Sequence, residues 1–379
     1  MSTNCSSDER SGQLVYPSTD DFDQNTAKRL VNECSTLIIE DIPIGTQLGI
    51  DLNVFNTGEK FLGIKMIASG LHFIHYSTVS KEGSVAPRTG FFRYFKDKEL
   101  IVRKWNKLDE DIGNEYEDSE QLERYRHNLN AGALDQYLGA YQYSTYADWV
   151  GLTDYITESL FNRLNPKCGQ IKSVTELIPI SDQNRKQAKP ETDSEGLPFM
   201  ETEPNSAINF SEIPNRFLFP SNSTASDISR HSMDGTFTLE SLISNCQQID
   251  DILGELQFCF VTFIVGHVFD SFEYWKRLLK ILCMSETAVT KYTDLYLNFV
   301  RVLHFQLKQT PHDLFADIVE NHNFLVIFLR NFFSNIITNP NVSETLRIRG
   351  QRFQKSLTKN FKWDFSSELE DESPTIVDT

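Results

Sequence analysis

His72 and His75, in the string LHFIHYS, are the first side chains whose type and spacing suggest chemistry, since paired imidazoles can ligate a metal or move a proton. A spacing of three puts both rings on one face of a helix, but in a strand an odd spacing sends them to opposite faces. The string is rich in aromatic residues, so one ring reaches a given site and not both. A hydrogen-bonded role in a sheet is favoured over ligation or catalysis. His267 falls inside the most apolar run of the chain and reads as a core histidine held by a backbone carbonyl. His127, His231, His304, His312 and His322 form neither HExxH nor an i, i+4 pair, so no zinc motif is present. Asp51, in GID ahead of an alternating strand, superficially resembles an aspartic-protease loop. That chemistry needs two carboxyl groups sharing one proton, and the D-T/S-G triplet is absent.

Other catalytic patterns fail at the first step. GTQLG, residues 45–49, lacks the Lys and Ser or Thr of a phosphate-binding loop, and neither GxGxxG nor GxSxG occurs. Cys5, Cys34, Cys168, Cys246, Cys259 and Cys283 form no CxxC pair and lie in ordinary or apolar contexts, Cys259 most plainly. Reduced thiols in a cytosolic or nuclear compartment are the simpler reading, with no cofactor.

Residues 345–365, TLRIRGQRFQKSLTKNFKWDF, carry Arg347, Arg349, Arg352, Lys355, Lys359 and Lys362 against the single acid Asp364. Cations interleaved with Phe353, Phe361 and Trp363 can bind RNA by charge and stacking. The favoured reading is an amphipathic last helix with Leu346, Phe353, Leu357 and Phe361 turned inward. Glu368, Glu370, Asp371 and Glu372 follow directly and can screen its charge. Beyond Pro374, Thr375, Ile376 and Val377 make a β-competent triplet suited to joining a partner's sheet edge. Ser221, Ser223, Thr224, Ser226, Ser229 and Ser232 crowd the entry to the second half, where added phosphate would cap a helix or repel an acidic surface.

Between about residues 36 and 105 the apolar period is two: TLIIE, LGIDLNV, KFLGIKMI, LHFIHYS, GFFRYFK and ELIVRKW are separated by turn residues. Six short strands with one face buried suggest a small sandwich or barrel, with a hairpin joining the last two at Asp97 and Lys98. Past Trp105 the period changes, and Leu122, Tyr125, Leu129, Trp149, Leu152, Ile156, Leu160 and Leu164 mark closing helices. Seven of the 13 prolines lie between Pro166 and Pro220, in a polar stretch that reads as a linker without structure at residues 181–205. From Ser223 helical spacing dominates, with Leu239, Leu242, Ile243 and Cys246 as one stripe and Val268, Phe272, Trp275, Leu279 and Leu282 as another. Thr310 before Pro311 reads as a helix start. Residues 256–269 would form a central helix buried on nearly all sides.

The expected organisation is α+β: a disordered segment at 1–35, a β-rich domain at 36–165, a flexible linker at 166–222, an all-α domain at 223–365 and an acidic tail at 366–379. A length of 379 residues agrees with two domains, and 40% apolar residues with 28 Phe supply their cores. A net charge of −17 disfavours bulk nucleic-acid binding. The first thirty residues lack a basic start and apolar stretch, and the most apolar run is shorter than the roughly 20 residues of a membrane helix, so an intracellular chain without membrane contact is expected.

The longer strings add a resemblance. GTQLGIDLNVFNTGEKFLGIKMIASGLHFIHYS, PRTGFF at 87–92 and WVGLTDYI at 149–156 resemble the N-terminal domain of the a1-alpha2 repression splicing-factor family. SRHSMD at 229–234, GELQFCFVTFIVGHVFDSFEYWKRLL at 254–279 and RFQKSLTKNFKWDF at 352–365 resemble its C-terminal domain. The similarity covers residues 37–365 outside the linker, departing at Phe55, where many members have Trp, and at Ala68 and Ser69, which replace Pro-Pro. It implies a VHS-like helical second domain and a non-enzymatic assembly chaperone of the U5 small nuclear ribonucleoprotein, in cytoplasm and nucleus. Such a factor would bind that particle's large scaffold protein through its RNase H-like and MPN-type domains. It would delay RNA helicase binding until phosphorylation releases it, with no small-molecule substrate. The competing readings are an RNA-binding protein using the basic helix, and a hydrolase with an aspartic or metal site in the β-rich domain.

Overall fold

The computed structural model describes residues 16–80, 82–116, 118–174, 177–179, 200–202, 205–310 and 324–365. The chain divides into two compact units, residues 1–86 with 92–150, and residues 87–91 with 151–379. The first is β-rich and the second mostly helical.

In the first unit helix α1 (Gln24–Glu33) precedes strands β1 (Ser35–Glu40), β2 (Gln47–Ile50), β3 (Asn53–Asn56), β4 (Gly63–Ile67) and β5 (Gly70–Ser77). Then come β6 (Thr89–Phe95), which starts in the other unit, β7 (Leu100–Asn106), β8 (Asp111–Glu115), helix α2 (Ser119–Asn130), β9 (Leu138–Ala140) and helix α3 (Tyr146–Thr153), whose last turn falls in the other unit. One sheet runs β8-β7-β1-β4-β9, with β1 parallel to β7 and antiparallel to β4. The other runs β6-β5-β2-β3. Among the described residues neither sheet closes into a barrel. Tyr76 of β5 meets Trp105 of β7 edge-on at 5.5 Å, so the sheets share apolar surface.

Burial departs from the expected one-sided pattern. Residues 35–39 of β1 and 71–77 of β5 are buried on both faces. The second face of β1 is covered by α2, whose Leu122, Tyr125 and Leu129 pack on Ile38, Val102 and Leu138. The Asp97–Lys98 hairpin is also corrected: β6 and β7 lie in different sheets, and the chain crosses between them through Lys98 at φ 57°. Adjacent strands give no local sign of which sheet each will join.

The segment expected to be disordered up to residue 35 is ordered from residue 16. Asp23 caps α1 by accepting from Thr26 N at 2.6 Å, and Leu30 is fully buried. Tyr16 lies 5.7 Å from Tyr143 and 5.0 Å from Tyr146, in a group completed by Tyr141. Burial is the largest cause raising the pKa of all four phenols. A folded value above the unfolded one makes their contribution fully present below about pH 10 and lost as pH climbs beyond it. Tyrosinate absorbance should therefore show a class that ionises only together with loss of circular dichroism; smooth titration near pH 10 with the fold intact would contradict this.

In the second unit Ile171 and Lys172 pair antiparallel with Gly90 and Thr89. Helix α4 (Glu158–Leu164) is followed by α5 (Ala225–Met233), α6 (Thr236–Ser244), α7 (Asp251–Ile264), α8 (Phe269–Met284), the single turn α9 (Ala288–Lys291) and α10 (Thr293–Gln309). Helices α11 (Phe324–Ile337) and α12 (Glu344–Phe361) complete it. As expected of a sequence apolar all round, α7 is the core, buried without interruption over residues 251–262. Gly254 lets α4 approach: an added Cβ would stand 2.4 Å from the Tyr155 carbonyl oxygen and 2.3 Å from Leu160. No helix among the described residues is long and apolar enough to cross a membrane.

The expected boundaries shift accordingly. Helix α4, read as closing the first domain, packs on α7 in the second unit. Of the expected linker, residues 205–222 are described, mostly exposed but anchored at several points. Phe210 stacks on Tyr274 at 4.1 Å, Ile213 is buried, and Leu218 N donates to Thr238 Oγ1 at 2.7 Å. Residues 177–179 and 200–202 form an antiparallel pair, and most of the stretch 181–205 lies outside the described residues. So does the helix expected after Pro311; Thr310 instead follows the end of α10, with its hydroxyl donating to Gln306 O.

Candidate functional site

The residues most suggestive of catalysis build a closed structural cluster. Asp51 occupies the turn between β2 and β3 at φ 56°, with no solvent exposure. Its Oδ2 is 2.6 Å from His72 Nδ1 and accepts from Tyr141 OH at 2.6 Å, while Oδ1 accepts from Phe73 N at 3.0 Å. His72 Nε2 lies 2.9 Å from the Ala68 carbonyl oxygen. His75 Nε2 lies 3.2 Å from the main-chain oxygen of Asp51. As the odd spacing in a strand predicts, the two rings do not meet at one site. The rings do take opposite faces, His75 beside Phe73 and His72 beside Tyr141, but Asp51 offers its carboxylate to one and its carbonyl to the other. Gly49 makes room for this: a Cβ there would fall 2.1 Å from His75 Cε1. Each carboxylate oxygen of Asp51 is bonded within the protein and the side chain has no solvent exposure, as expected of a structural carboxylate. Among the described residues no group of three His, Cys, Asp or Glu side chains is placed to hold a metal.

His267 is not the core histidine expected. Helix α7 ends at Ile264, and His267 is exposed at φ 60°, its Nε2 3.1 Å from Arg88 Nη1. Partial burial and then the Arg88 cation lower its pKa. Cys34, Cys259 and Cys283 are buried. Burial, with Glu255 and Asp251 adding to it, pushes the half-buried Cys246 thiol up to about 11. That is the opposite of an activated nucleophile.

A second buried carboxylate was not singled out by sequence reasoning. Glu255, fully buried in α7, takes Arg163 and Ser211 Oγ on Oε1, the latter at 2.5 Å. Oε2 takes Tyr274 OH at 2.5 Å and Ser211 N at 3.2 Å. Its signal was available: one acid inside GELQFCFVTFIV has to be satisfied by partners. Here those partners fasten residues 205–219 onto the central helix.

Those residues, with α5 and α8, enclose an open groove of about 500 Å³. Helix α5 has a full capping box between Thr224 and Asp227 but buries no side chain, and Met233 is 75% exposed. Of the serine cluster, Ser221, Ser226, Ser229 and Ser232 are exposed and Ser223 is half-buried, while Thr224 is engaged as the cap. Ser232 lines the groove and donates to Ser229 O at 2.6 Å. The triplet Thr375, Ile376 and Val377 lies outside the described residues.

Helix α12 follows the inward-facing reading of the basic segment. Leu346, Phe353 and Leu357 are buried, as is Trp363, and Phe361 is half-buried against Trp363 at 4.7 Å. Arg347 donates to the carbonyls of Asn339, Pro340 and Val342, and Arg349 to that of Leu297. Arg352, Lys355, Lys359 and Lys362 are exposed. The aromatics that would stack on bases are thus largely committed to packing.

Comparison with known proteins agrees with this two-part build. Residues 33–166 match the AAR2 N-terminal domain and residues 210–366 the AAR2 C-terminal repeat region. The chain is 40% identical over 375 residues to the protein AAR2 homologs of Mus musculus and Homo sapiens, covering 94% of this chain and 97% of each relative. The Caenorhabditis elegans homolog is 33% identical over 351 residues, with 87% and 94% covered. With both domains matched in order and the relatives covered almost throughout, the chain belongs to the AAR2 family.

Proposed function

We propose that the chain is a non-enzymatic assembly factor of the U5 small nuclear ribonucleoprotein in pre-mRNA splicing, acting by occupying protein surface. Membership of the AAR2 family over both domains carries this reading. The partner is the particle's large scaffold protein, held through its RNase H-like and MPN-type domains, and RNA helicase binding is delayed until release. The helical unit is read as VHS-like, and the working compartments as cytoplasm and nucleus. Thr375, Ile376 and Val377 are proposed to join a partner's sheet edge. Phosphorylation in the cluster Ser221, Ser223, Thr224, Ser226, Ser229 and Ser232 is proposed to drive release. The exposure of four of its serines around a helix that buries no side chain supports access by a kinase.

Affinity capture of the chain from cytoplasmic extract tests the reading. The expected result is co-purification of the scaffold protein in a particle without the helicase. Recovery of the helicase alongside it, or loss of the scaffold, would refute it. Direct RNA binding would instead show an affinity falling steeply with salt and collapsing on neutralisation of Arg352, Lys355 and Lys359.

A further inference from the structure

The groove bounded by residues 213–219, α5 and α8 gathers cations around apolar side chains in a chain of net charge −17. No carboxylate is in its lining, where Arg216, Arg277 and Lys280 surround Phe217, Ile281 and Met284. Arg277 is engaged with the Ile213 carbonyl and Asn215 Oδ1. Lys280 Nζ stands 5.7 Å over the Phe217 ring, and both Lys280 and Arg216 are exposed. An apolar floor with a cationic rim selects apolar residues flanked by carboxylates.

Residues 366–379, SSELEDESPTIVDT, have that composition: Glu368, Glu370, Asp371, Glu372 and Asp378 with Leu369, Ile376 and Val377, and neither Lys nor Arg. The described chain stops at Phe365, whose ring is 5.0 Å from that of Phe333 in α11. Two residues further along α11, Asn335 Nδ2 donates at 3.2 Å to the carbonyl of Cys283, next to Met284 of the groove. A segment of that length reaches roughly 45 Å when extended, so it spans the distance easily. We propose that residues 366–379 occupy this groove in the unbound protein, with carboxylates toward Arg216 and Lys280 and Ile376 or Val377 against Phe217 and Met284. Tethering supplies an effective concentration of about millimolar, so modest contacts suffice. If the tail also joins a partner's sheet, as proposed above, the partner has to draw it out of the groove first.

A photo-cross-linking side chain placed at Ile376 of the full chain tests this without any partner present, so the outcome is independent of scaffold binding. Mass spectrometry should find an intramolecular cross-link to residues 217–219 or 281–284. Arg216→Glu with Lys280→Glu should lower its yield roughly fivefold, as two surface charge pairs allow. Thermal unfolding should be unchanged by that pair, since both side chains are exposed. Cross-links chiefly to Arg352, Lys355 or Lys359 of α12, cross-links between copies, no cross-link, or a yield indifferent to the charge reversal would each overturn the proposal.

Discussion

Asp51→Ala is expected to destabilise the β-rich unit by about 3–5 kcal/mol, the cost of leaving several buried polar groups without their partner. The carboxylate has no exposure and serves His72, Tyr141 and the Phe73 amide at once, so its loss strands three buried polar groups. Asp51→Asn keeps the volume but swaps one acceptor oxygen for a donor facing His72 or Tyr141, and should cost less than the alanine. Hydrogen exchange resolves the two units, and the faster exchange should appear in β2 and β5 while α7 and α8 hold. A hydrolase would behave otherwise, losing an activity with stability untouched. Full retention of protection in β2 and β5 would show that the cluster contributes little.

Glu255→Ala should be the most damaging substitution in the helical unit, again by about 3–5 kcal/mol. It leaves Arg163, Ser211 and Tyr274 facing a hole inside the central helix. Its effect should also be directional. Residues 205–219 are fastened by Ser211 to Glu255, by Phe210 to Tyr274 and by Arg277 to Ile213, so losing the first anchor loosens the other two. Exchange protection should drop first at residues 209–218, before α7 and α10 respond. Tyr274→Phe removes a single hydrogen bond and should cost only about 1–2 kcal/mol. An equal loss from the two substitutions would mean that the carboxylate acts through Tyr274 alone.

Much of the architecture was legible because burial writes itself into local periodicity. Residues 256–264 are apolar without a polar face, and α7 is buried accordingly. The strands were visible for the same reason. Sheet membership was not, since GFFRYFK and ELIVRKW are each good strands and nothing local says that β6 and β7 part company. The prolines and polar centre mark a linker, while NFSEIPNRFLFP carries Phe210, Ile213 and Phe217, which dock on the helical unit. His267 lies outside the helix: the apolar run continues past Gly266, whereas α7 ends at Ile264, and His267 itself takes the left-handed conformation at φ 60°. For the site, the histidines were correctly read as structural, but their separate contacts with Asp51 depend on its backbone turning to φ 56°, which a strand pattern does not encode.

The strand that begins in one unit and ends in the other has a practical consequence. Residues 87–91 belong with 151–379, yet the chain returns to its first unit for residues 92–150 before leaving it for good. No single cut therefore separates the halves intact: a fragment starting at Gly151 arrives without the partners that Ile171 and Lys172 need in Gly90 and Thr89. A helical fragment intended to keep that pairing therefore has to carry residues 87–91 along with it.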